Sequence, residues 1–442
     1  MLKRIHIKGY KSLVDVELCL EPLTVLIGAN ASGKSNFLDA LQLLAGLATS
    51  RTVKQAFDPP YRGKPLESFN IGKDGIKGLL DQDRLTFSIE ADLQISDAVV
   101  EAVDRQIREM RRRPQESRSE DASKRVTGVR ERNLRYRIEV EMLPRTGILR
   151  VADEYLAALN SDGEPTGRRK PFIERQGEER LHLRHEGQAH PTYYELYLDH
   201  TILSLPHYPP HYPHLIAAKY ELERWLFFYF EPRERMRAAN PVKDVRHIGL
   251  MGEELGAFLN TLKAVDPGQF ETVQRALHSL LPSIDGIEVD VTDLGEVELR
   301  IVEGGIAMPA SVLSEGTLRM LGLLALASAE PPGLVGFEEP ENGVHPRRIE
   351  LIAELLRTRR SLGQTQYIVT THSPLLPDLL EDESLFVVRR QNGHTGIAPL
   401  SQWGPLAEWR RLAREGGIRQ TLSDEHEATS VSERILRGDF DA

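Results

Sequence analysis

The chain has 442 residues, which is enough for one large domain or about three average ones. It is 40% hydrophobic and 28% charged and has one cysteine, Cys19, so it is neither a disordered chain nor a disulfide scaffold, and it fits a reducing compartment. The net charge of −10 argues against a uniformly basic nucleic-acid-binding protein but leaves local patches open. The longest apolar stretch, 320–329, is about half of the ~20 residues in a membrane-spanning helix, so we expect a cytoplasmic protein without a membrane segment.

The first 50 residues predict an α/β structure. Alternating apolar and polar residues predict strands at 2–8 and 14–20, and the continuous apolar run Leu23–Ile27 predicts a strand that is buried on both faces. A glycine-rich turn follows, and apolar residues at helical spacing then predict a helix from about Phe37. Residues 50–85 are rich in Gly, Pro and Lys and predict a loop.

Periodic patterns continue through the rest of the chain, interrupted by polar segments at 111–133 and 160–190. They predict helices at 96–113, 249–262, 268–281, 314–329 and 347–359. They predict strands at 85–93, 134–142, 148–151, 287–291, 297–302, 334–337, 367–370 and 385–389.

The turn after the first buried strand, Gly28-Ala29-Asn30-Ala31-Ser32-Gly33-Lys34-Ser35, matches the phosphate-loop pattern G-x-x-x-x-G-K-[ST]. Its glycines let backbone N–H groups face phosphate oxygens, Lys34 reaches the β- and γ-phosphates, and the Ser35 hydroxyl binds Mg²⁺. A chance match in a chain of this length has a probability of roughly 1–2%. The sequence therefore predicts a nucleotide site formed by Gly28, Asn30, Ser32, Gly33, Lys34, Ser35 and Asn36.

A second candidate segment lies some 300 residues later, where a short apolar strand ends in Glu338-Glu339-Pro340. Beside a phosphate loop, one such carboxylate can hold Mg²⁺ and the next can orient a water molecule. We predict the metal role for Glu338 and the water-activating role for Glu339. In isolation, two acidic residues at a strand end are more often simply solvated.

Two further segments complete the set. The strand at 367–370 ends in Thr371-His372-Ser373, where His372 could donate a hydrogen bond to a γ-phosphate, although a lone histidine there is more often structural. In Leu313-Ser314-Glu315-Gly316-Thr317, Ser314 can cap the following helix, whose N-terminus is a natural anion site. An ordinary capped helix is the alternative interpretation.

These four segments, in this order, resemble the ATP-binding-cassette ATPases of the SMC/RecF type, and they are also similar to the OLD-type AAA-family ATPases. The resemblance covers roughly residues 1–95 and 245–390. It implies an α/β fold in which an ABC-type P-loop ATPase head is built from both ends of the chain. The implied domains are the two head parts at 1–95 and 246–390, a mixed α+β arm at 96–245 and a tail at 391–442.

The resemblance also implies roles for residues. Glu339 would be the catalytic base and His372 the γ-phosphate sensor, while Ser314 and Gly316 would contact the ATP of a second subunit. It therefore implies a homodimer that encloses two ATP molecules with Mg²⁺. Residues 341–345 stand where the family has its D-loop. For the family's glutamine lid, Gln55 and Gln82 both remain candidates.

Some features depart from the family pattern. Glu338 replaces the usual aspartate, and Glu315 and Thr317 depart from the LSGGQ signature of transporters. The insert of about 150 residues shows no sustained heptads, which argues against a coiled coil. Only 70 residues follow His372, too few for the Toprim nuclease domain of OLD-type proteins, so we expect a separate effector protein, for which a Toprim-type nuclease is one candidate.

Three functions remain open. The first is an ATPase whose head dimerisation makes it the motor or the sensor of a DNA-related or anti-phage defence system. The second is a RecF-like DNA-repair ATPase that binds DNA itself, and the third is a scaffold that binds ATP without hydrolysing it. Residues 101–150 carry 14 Lys/Arg and 9 Asp/Glu, including Arg111-Arg112-Arg113, so a mobile solvated loop and a contact with nucleic acid or an acidic partner are both possible there. For the protein as a whole, DNA or a phage component is a possible partner.

Overall fold

In the computed structural model, the described residues are 1–111, 128–167, 169–177, 180–186, 192–328, 331–403 and 430–436. The chain divides into two compact units. Unit 1 consists of Met1–Glu21, Ala31–Trp225 and Val388–Ala398, and unit 2 of Pro22–Asn30, Leu226–Val387 and Pro399–Ala442.

The strands are β1 (Leu2–Tyr10), β2 (Leu13–Cys19), β3 (Leu23–Ile27), β4 (Leu85–Gln94), β5 (Asn133–Leu143), β6 (Ile148–Ala158), β7 (Ile173–Gln176), β8 (Arg180–Leu183), β9 (Thr192–Glu195), β10 (Trp225–Phe228), β11 (Asn240–Pro241), β12 (Ile284–Val291), β13 (Glu296–Glu303), β14 (Ile306–Pro309), β15 (Leu334–Glu338), β16 (Gln366–Thr371), β17 (Leu385–Gln391) and β18 (His394–Pro399). The helices are α1 (Lys34–Thr49), α2 (Gly75–Leu80), α3 (Asp97–Arg111), α4 (Pro213–Glu223), α5 (Leu255–Val265), α6 (Pro267–Leu280), α7 (Glu315–Ser328), α8 (Ile349–Leu362), α9 (Leu375–Asp378) and α10 (Val431–Leu436).

Unit 1 is organised around an antiparallel sheet with the strand order β2-β1-β4-β5-β6-β7-β8-β9. Alternate residues of its long strands, such as Ile5, Ile89 and Ile138, are completely buried, as expected for a sheet with one covered face. Helix α4 packs against α1 and α3. The sheet takes strands from both sides of the predicted boundary at residues 95 and 96, and our division into head and arm stays a prediction.

Unit 2 contains a sheet with the strand order β10-β15-β16-β3-β17, in which β15, β16, β3 and β17 run parallel. Strands β3 and β15 are buried along their whole length, which explains their continuous apolar sequences. A smaller antiparallel sheet pairs β13 with β11, β12 and β14. Apolar residues of α5, α6, α7 and α8 form one core cluster with these strands.

Most of the predicted elements are present, and four differences have local causes. The helix predicted from Gly249 begins only at Leu255, because a turn closed by a hydrogen bond from Gly252 N–H to Gly249 O comes first. Strand β6 continues to Ala158, well beyond the predicted end. The segment 160–190, which we described only as polar, contains β7 and β8. Helix α4, which we did not predict, begins with Pro213 at its first helical position. Of the run Arg111-Arg112-Arg113, for which we left a solvated loop and a nucleic-acid contact open, Arg112 and Arg113 lie outside the described residues.

Candidate nucleotide site

The phosphate loop joins β3 to α1, as predicted, and its backbone is unusual at two positions. Ala31 and Gly33 have φ angles of 62° and 109°, in the left-handed region that lets successive N–H groups turn toward one side. A Cβ atom at Gly33 would lie 2.1 Å from Thr395 Oγ1, so no larger residue fits there without displacing this neighbour. Helix α1 begins directly after, with Phe37 N–H donating to Gly33 O at 3.1 Å.

The side chains of the loop differ in their exposure. Ser32 and Lys34 are buried, whereas Asn30 is exposed. The Ser32 hydroxyl oxygen is buried and makes no hydrogen bond to any described residue. A buried hydroxyl needs a partner, so the loop fits a ligand with oxygen acceptors, such as a nucleotide phosphate.

A buried network supports this loop from two distant parts of unit 1. Thr395 Oγ1 on β18 donates to Ser32 O at 2.7 Å and lies 2.7 Å from Ser12 Oγ. The Asn36 side-chain amide donates to the same Ser12 oxygen at 2.7 Å. From the sequence we assigned no role to Ser12 or Thr395. Thr395 lies in no motif, so its single hydroxyl gave no signal that could have identified it.

A second polar cluster holds the first turn of α1. The Asp39 carboxylate is buried and accepts hydrogen bonds from Lys11 Nζ at 2.8 Å and from Arg62 Nε at 2.9 Å and Nη2 at 2.8 Å. Arg62 Nη2 also donates to Ser35 O at 3.4 Å. Two cations fix the position of the Asp39 carboxylate, and one of them, Arg62, also holds the turn that carries Ser35.

Strand register in unit 2 aligns three strand ends. The strands β15, β16 and β3 are neighbours and parallel, with Glu338 paired to Thr370 and Thr371 paired to Ile27. Carboxyl ends of parallel strands meet at one edge of a sheet, where ligands bind in open α/β folds. Unit 2 therefore brings the acidic pair, the histidine and the start of the phosphate loop to the same edge.

Glu339 and His372 form a close pair at this edge. His372 Nε2 lies 2.7 Å from Glu339 Oε1, so the imidazole N–H donates to the carboxylate. Glu339 has a φ angle of 48°, which is costly for a residue with a side chain and is held by a hydrogen bond from its N–H to Thr370 O at 3.0 Å. Strain of this kind is typical of functional sites, and here it lies directly after the end of β15.

Residues 313–317, which we call the signature segment, have the helix cap that the sequence predicts. Thr317 N–H donates to Ser314 Oγ at 3.2 Å, and α7 begins at Glu315. A Cβ atom on Gly316 would lie 3.0 Å from Gly343 O, so this segment packs closely on residues 341–345. Arg233 Nε donates to Glu315 Oε1 at 2.7 Å, which ties the start of the helix to a neighbouring loop and holds the pKa of Glu315 below its usual range.

The remaining sequence candidates give less information. Gln55 and Gln82 are both exposed, and neither is selected as the glutamine lid. Among the described residues, no three His, Cys, Asp or Glu side chains are grouped to hold a metal ion. Mg²⁺ at phosphate loops takes few protein ligands together with phosphate oxygens, so the Ser35 hydroxyl and the Glu338 carboxylate are each a suitable type of donor. No helix in the described ranges is both long and apolar enough to cross a membrane.

Comparison with known proteins gives a family match over most of the chain. The family model described as "AAA domain, putative AbiEii toxin, Type IV TA system" matches residues 23–378. The chain is 25% identical over 164 residues to the "Retron Ec83 probable ATPase" of Escherichia coli, and this match covers 34% of this chain and 29% of that protein. It is 34% identical over 90 residues to the OLD nuclease of Thermus scotoductus, and this match covers 16% of each protein.

Another relative is the DNA replication and repair protein RecF of Synechocystis, 31% identical over 96 residues, which covers 22% of this chain and 23% of that protein. The chain thus spans less than a third of the length of these curated relatives. Among solved structures, an SMC head bound to the C-winged-helix domain of ScpA matches with a TM-score of 0.49 and 12% identity, over 90% of this chain and 96% of that one.

Proposed function

The chain belongs to the AAA-domain family whose model matches residues 23–378, and on that premise we propose that it binds ATP with Mg²⁺ and hydrolyses it as a homodimer of ATPase heads. The observation that carries this proposal is the register of β3, β15 and β16. It puts the Glu339–His372 pair at the edge where the phosphate loop starts. The resemblance to SMC/RecF-type and OLD-type ATPases supports the same assignment.

Each residue then has a separate task. Lys34 and the loop N–H groups neutralise the phosphates, and Ser35 and Glu338 hold Mg²⁺, with Glu338 acting through a water molecule. The metal supplies positive charge that offsets the charge developing on the phosphate oxygens. Glu339 orients the attacking water, and His372 fixes the Glu339 carboxylate and faces the γ-phosphate.

The signature segment supports the dimer that we propose. Ser314 is exposed, and the positive end of the α7 dipole behind it favours an anion. In our proposal, Ser314 and Gly316 contact the γ-phosphate of the ATP held by the other subunit. Hydrolysis then separates the two heads, which makes the dimer an ATP-dependent switch.

The biological setting that we propose is an anti-phage defence system in which the switch acts with a separate effector protein. The family description and the retron ATPase relative favour this setting. The RecF relative favours a second candidate, a DNA-repair ATPase that binds DNA directly. Binding of a short DNA duplex, measured by fluorescence anisotropy with and without ATP, distinguishes the two candidates, because only the second requires it.

Phosphate release from ATP by the purified chain tests the enzymatic proposal. We expect Mg²⁺-dependent turnover by the wild type and none by Lys34→Ala, which cannot hold the phosphates. Glu339→Gln should bind ATP and accumulate as a dimer in light scattering, because hydrolysis no longer separates the heads. If Glu339→Gln turns over ATP like the wild type, the assignment of the catalytic base is wrong.

A further inference from the structure

Glu341 lies two residues after Glu339, and its carboxylate is buried against the loop that carries His372. Glu341 Oε1 accepts hydrogen bonds from Thr371 Oγ1, from His372 N–H at 3.2 Å and from Ser373 N–H at 3.2 Å. A single oxygen therefore holds three consecutive residues of the loop. Ser373 N–H is shared with Thr371 Oγ1 at 3.0 Å, which tightens the same turn.

Hydrogen bonds from neighbouring N–H and O–H groups stabilise the charge of this carboxylate. Glu341 forms no ion pair with any described residue, and its Oε2 atom is buried without a hydrogen bond there. Burial raises the pKa of Glu341, and the N–H and O–H donors oppose that rise. Burying a carboxylate without a neighbouring cation lowers the stability of the fold, so a function of Glu341 is needed to explain this cost.

The backbone on either side of Glu341 connects the other parts of the site. Asn342 N–H donates to Glu339 O and Val344 N–H donates to Glu341 O, both at 3.0 Å, so residues 339–344 form two successive turns. The strained Glu339 begins this segment, and the Gly343 carbonyl near its end packs against Gly316. The segment thus contacts the acidic pair, the histidine loop and the signature segment.

We propose that Glu341 is a positioning residue that fixes the His372 loop on the Glu339 turn and so keeps the imidazole within reach of the catalytic carboxylate. The proposal rests on the ATPase function proposed above. Since the hydrogen bonds of Glu341 hold the His372 loop, we expect its loss to affect the rate of hydrolysis and to leave ATP binding unchanged. The sequence motif places a charged residue here but does not say that its side chain turns toward the histidine.

Hydrogen exchange of the full chain tests this role without any need for activity. In Glu341→Ala we expect the amide of His372, which loses its acceptor, to exchange at least about 10-fold faster, and that of Ser373, which keeps only Thr371 Oγ1, to exchange faster by a smaller factor. Amides of β3, which belongs to the same sheet, should be unchanged. Glu341→Gln keeps one acceptor oxygen and should restore most of the protection, and Glu354→Ala, on an exposed face of α8, is the matched control. Unchanged exchange at His372, or faster exchange across the whole sheet, would overturn the proposal.

Steady-state kinetics separate this inference from the proposed function. We expect Glu341→Ala to lower kcat roughly 10-fold or more with KM for ATP within about 2-fold, and Glu341→Gln to recover most of the loss. If Glu341→Ala matches the wild type while Glu339→Gln is inactive, the positioning role is wrong and the ATPase stands. If the wild type itself does not hydrolyse ATP, the proposed function fails, and the exchange result alone decides the structural part.

Discussion

The imidazole Nε2 atom of His372 lies 2.7 Å from the carboxylate Oε1 atom of Glu339, although 32 residues separate them along the chain. Both residues come directly after the ends of neighbouring parallel strands, and the strand register brings them together. The two side chains are 32% and 25% exposed, so a substrate could still reach them. This geometry suits a carboxylate that orients water and an imidazole that holds it.

The first prediction concerns this pair. Glu339→Gln should reduce kcat for ATP hydrolysis by about 100-fold or more, since an amide cannot accept a proton from the attacking water. His372→Ala leaves the carboxylate in place but without its N–H donor, so we expect a smaller loss of about 10- to 100-fold. Phosphate release and the binding of a fluorescent ATP analogue, measured on the same samples, check both values.

The expected result has a specific signature: ATP affinity stays within a few-fold of the wild type in both variants. The double variant should lose little more than Glu339→Gln alone, because residues that act as a unit are not additive. Fully multiplicative losses would show that the two side chains act independently.

The second prediction concerns Gly33. Replacement by alanine adds a Cβ atom 2.1 Å from Thr395 Oγ1, at a φ of 109° that side chains rarely adopt. The loop must shift, and we expect ATP affinity to fall by at least ~10-fold, measured by titration with a fluorescent ATP analogue. Gly147→Ala is the matched control, because Gly147 also has a positive φ but has nothing near its Cβ position. Equal effects of both variants on ATP binding would contradict the argument.

The third prediction concerns Thr395, which supports the phosphate loop from β18. Thr395→Val keeps the shape but removes the hydroxyl, so Ser32 O and Ser12 Oγ each lose a buried hydrogen bond of about 1 kcal/mol. We expect KM for ATP to rise roughly 3- to 10-fold with a smaller change in kcat. Thr395→Ser restores the hydroxyl and should behave like the wild type. A defect in Thr395→Ser equal to that in Thr395→Val would assign the effect to packing of the methyl group instead.

The sequence predicted the strands and the helix that carry the short motifs of the candidate site. The phosphate loop, the Glu338-Glu339 strand and the His372 strand are where the patterns place them, since a buried parallel strand is recognisable from its continuous apolar run. Thr395 could not be predicted, because it meets Ser32 only through the path of the folded chain. The direction of the Glu341 side chain is likewise invisible, since it depends on a turn and not on a periodic element. Strands β7 and β8 were missed because four residues show too little alternation.

Glu154, a buried residue of unit 1, makes hydrogen bonds that should depend on pH because its pKa is raised. Glu154 on β6 is completely buried, and its carboxylate accepts hydrogen bonds from Ile202 N–H at 2.6 Å, from Leu203 N–H at 3.0 Å and from Tyr136 Oη at 3.1 Å. Burial raises its pKa to about 7, and the three donors only partly oppose this. The neighbouring Thr201 hydroxyl donates to Leu47 O in α1, so the segment held by Glu154 also contacts the helix that follows the phosphate loop.

The fourth prediction follows from the sign of that shift. Because the pKa of Glu154 is higher in the folded chain than its ordinary value of 4.5, the folded state holds this proton more tightly. Its contribution to stability is therefore greatest below pH 4.5 and is lost as the pH rises through about 7, a change of up to about 3 kcal/mol. Urea unfolding between pH 5 and 8 should show this fall in the wild type and a flatter dependence in Glu154→Gln. Glu139→Gln, which removes a half-buried carboxylate on β5, serves as the comparison, and an equally steep dependence in Glu154→Gln would assign the titration to another group.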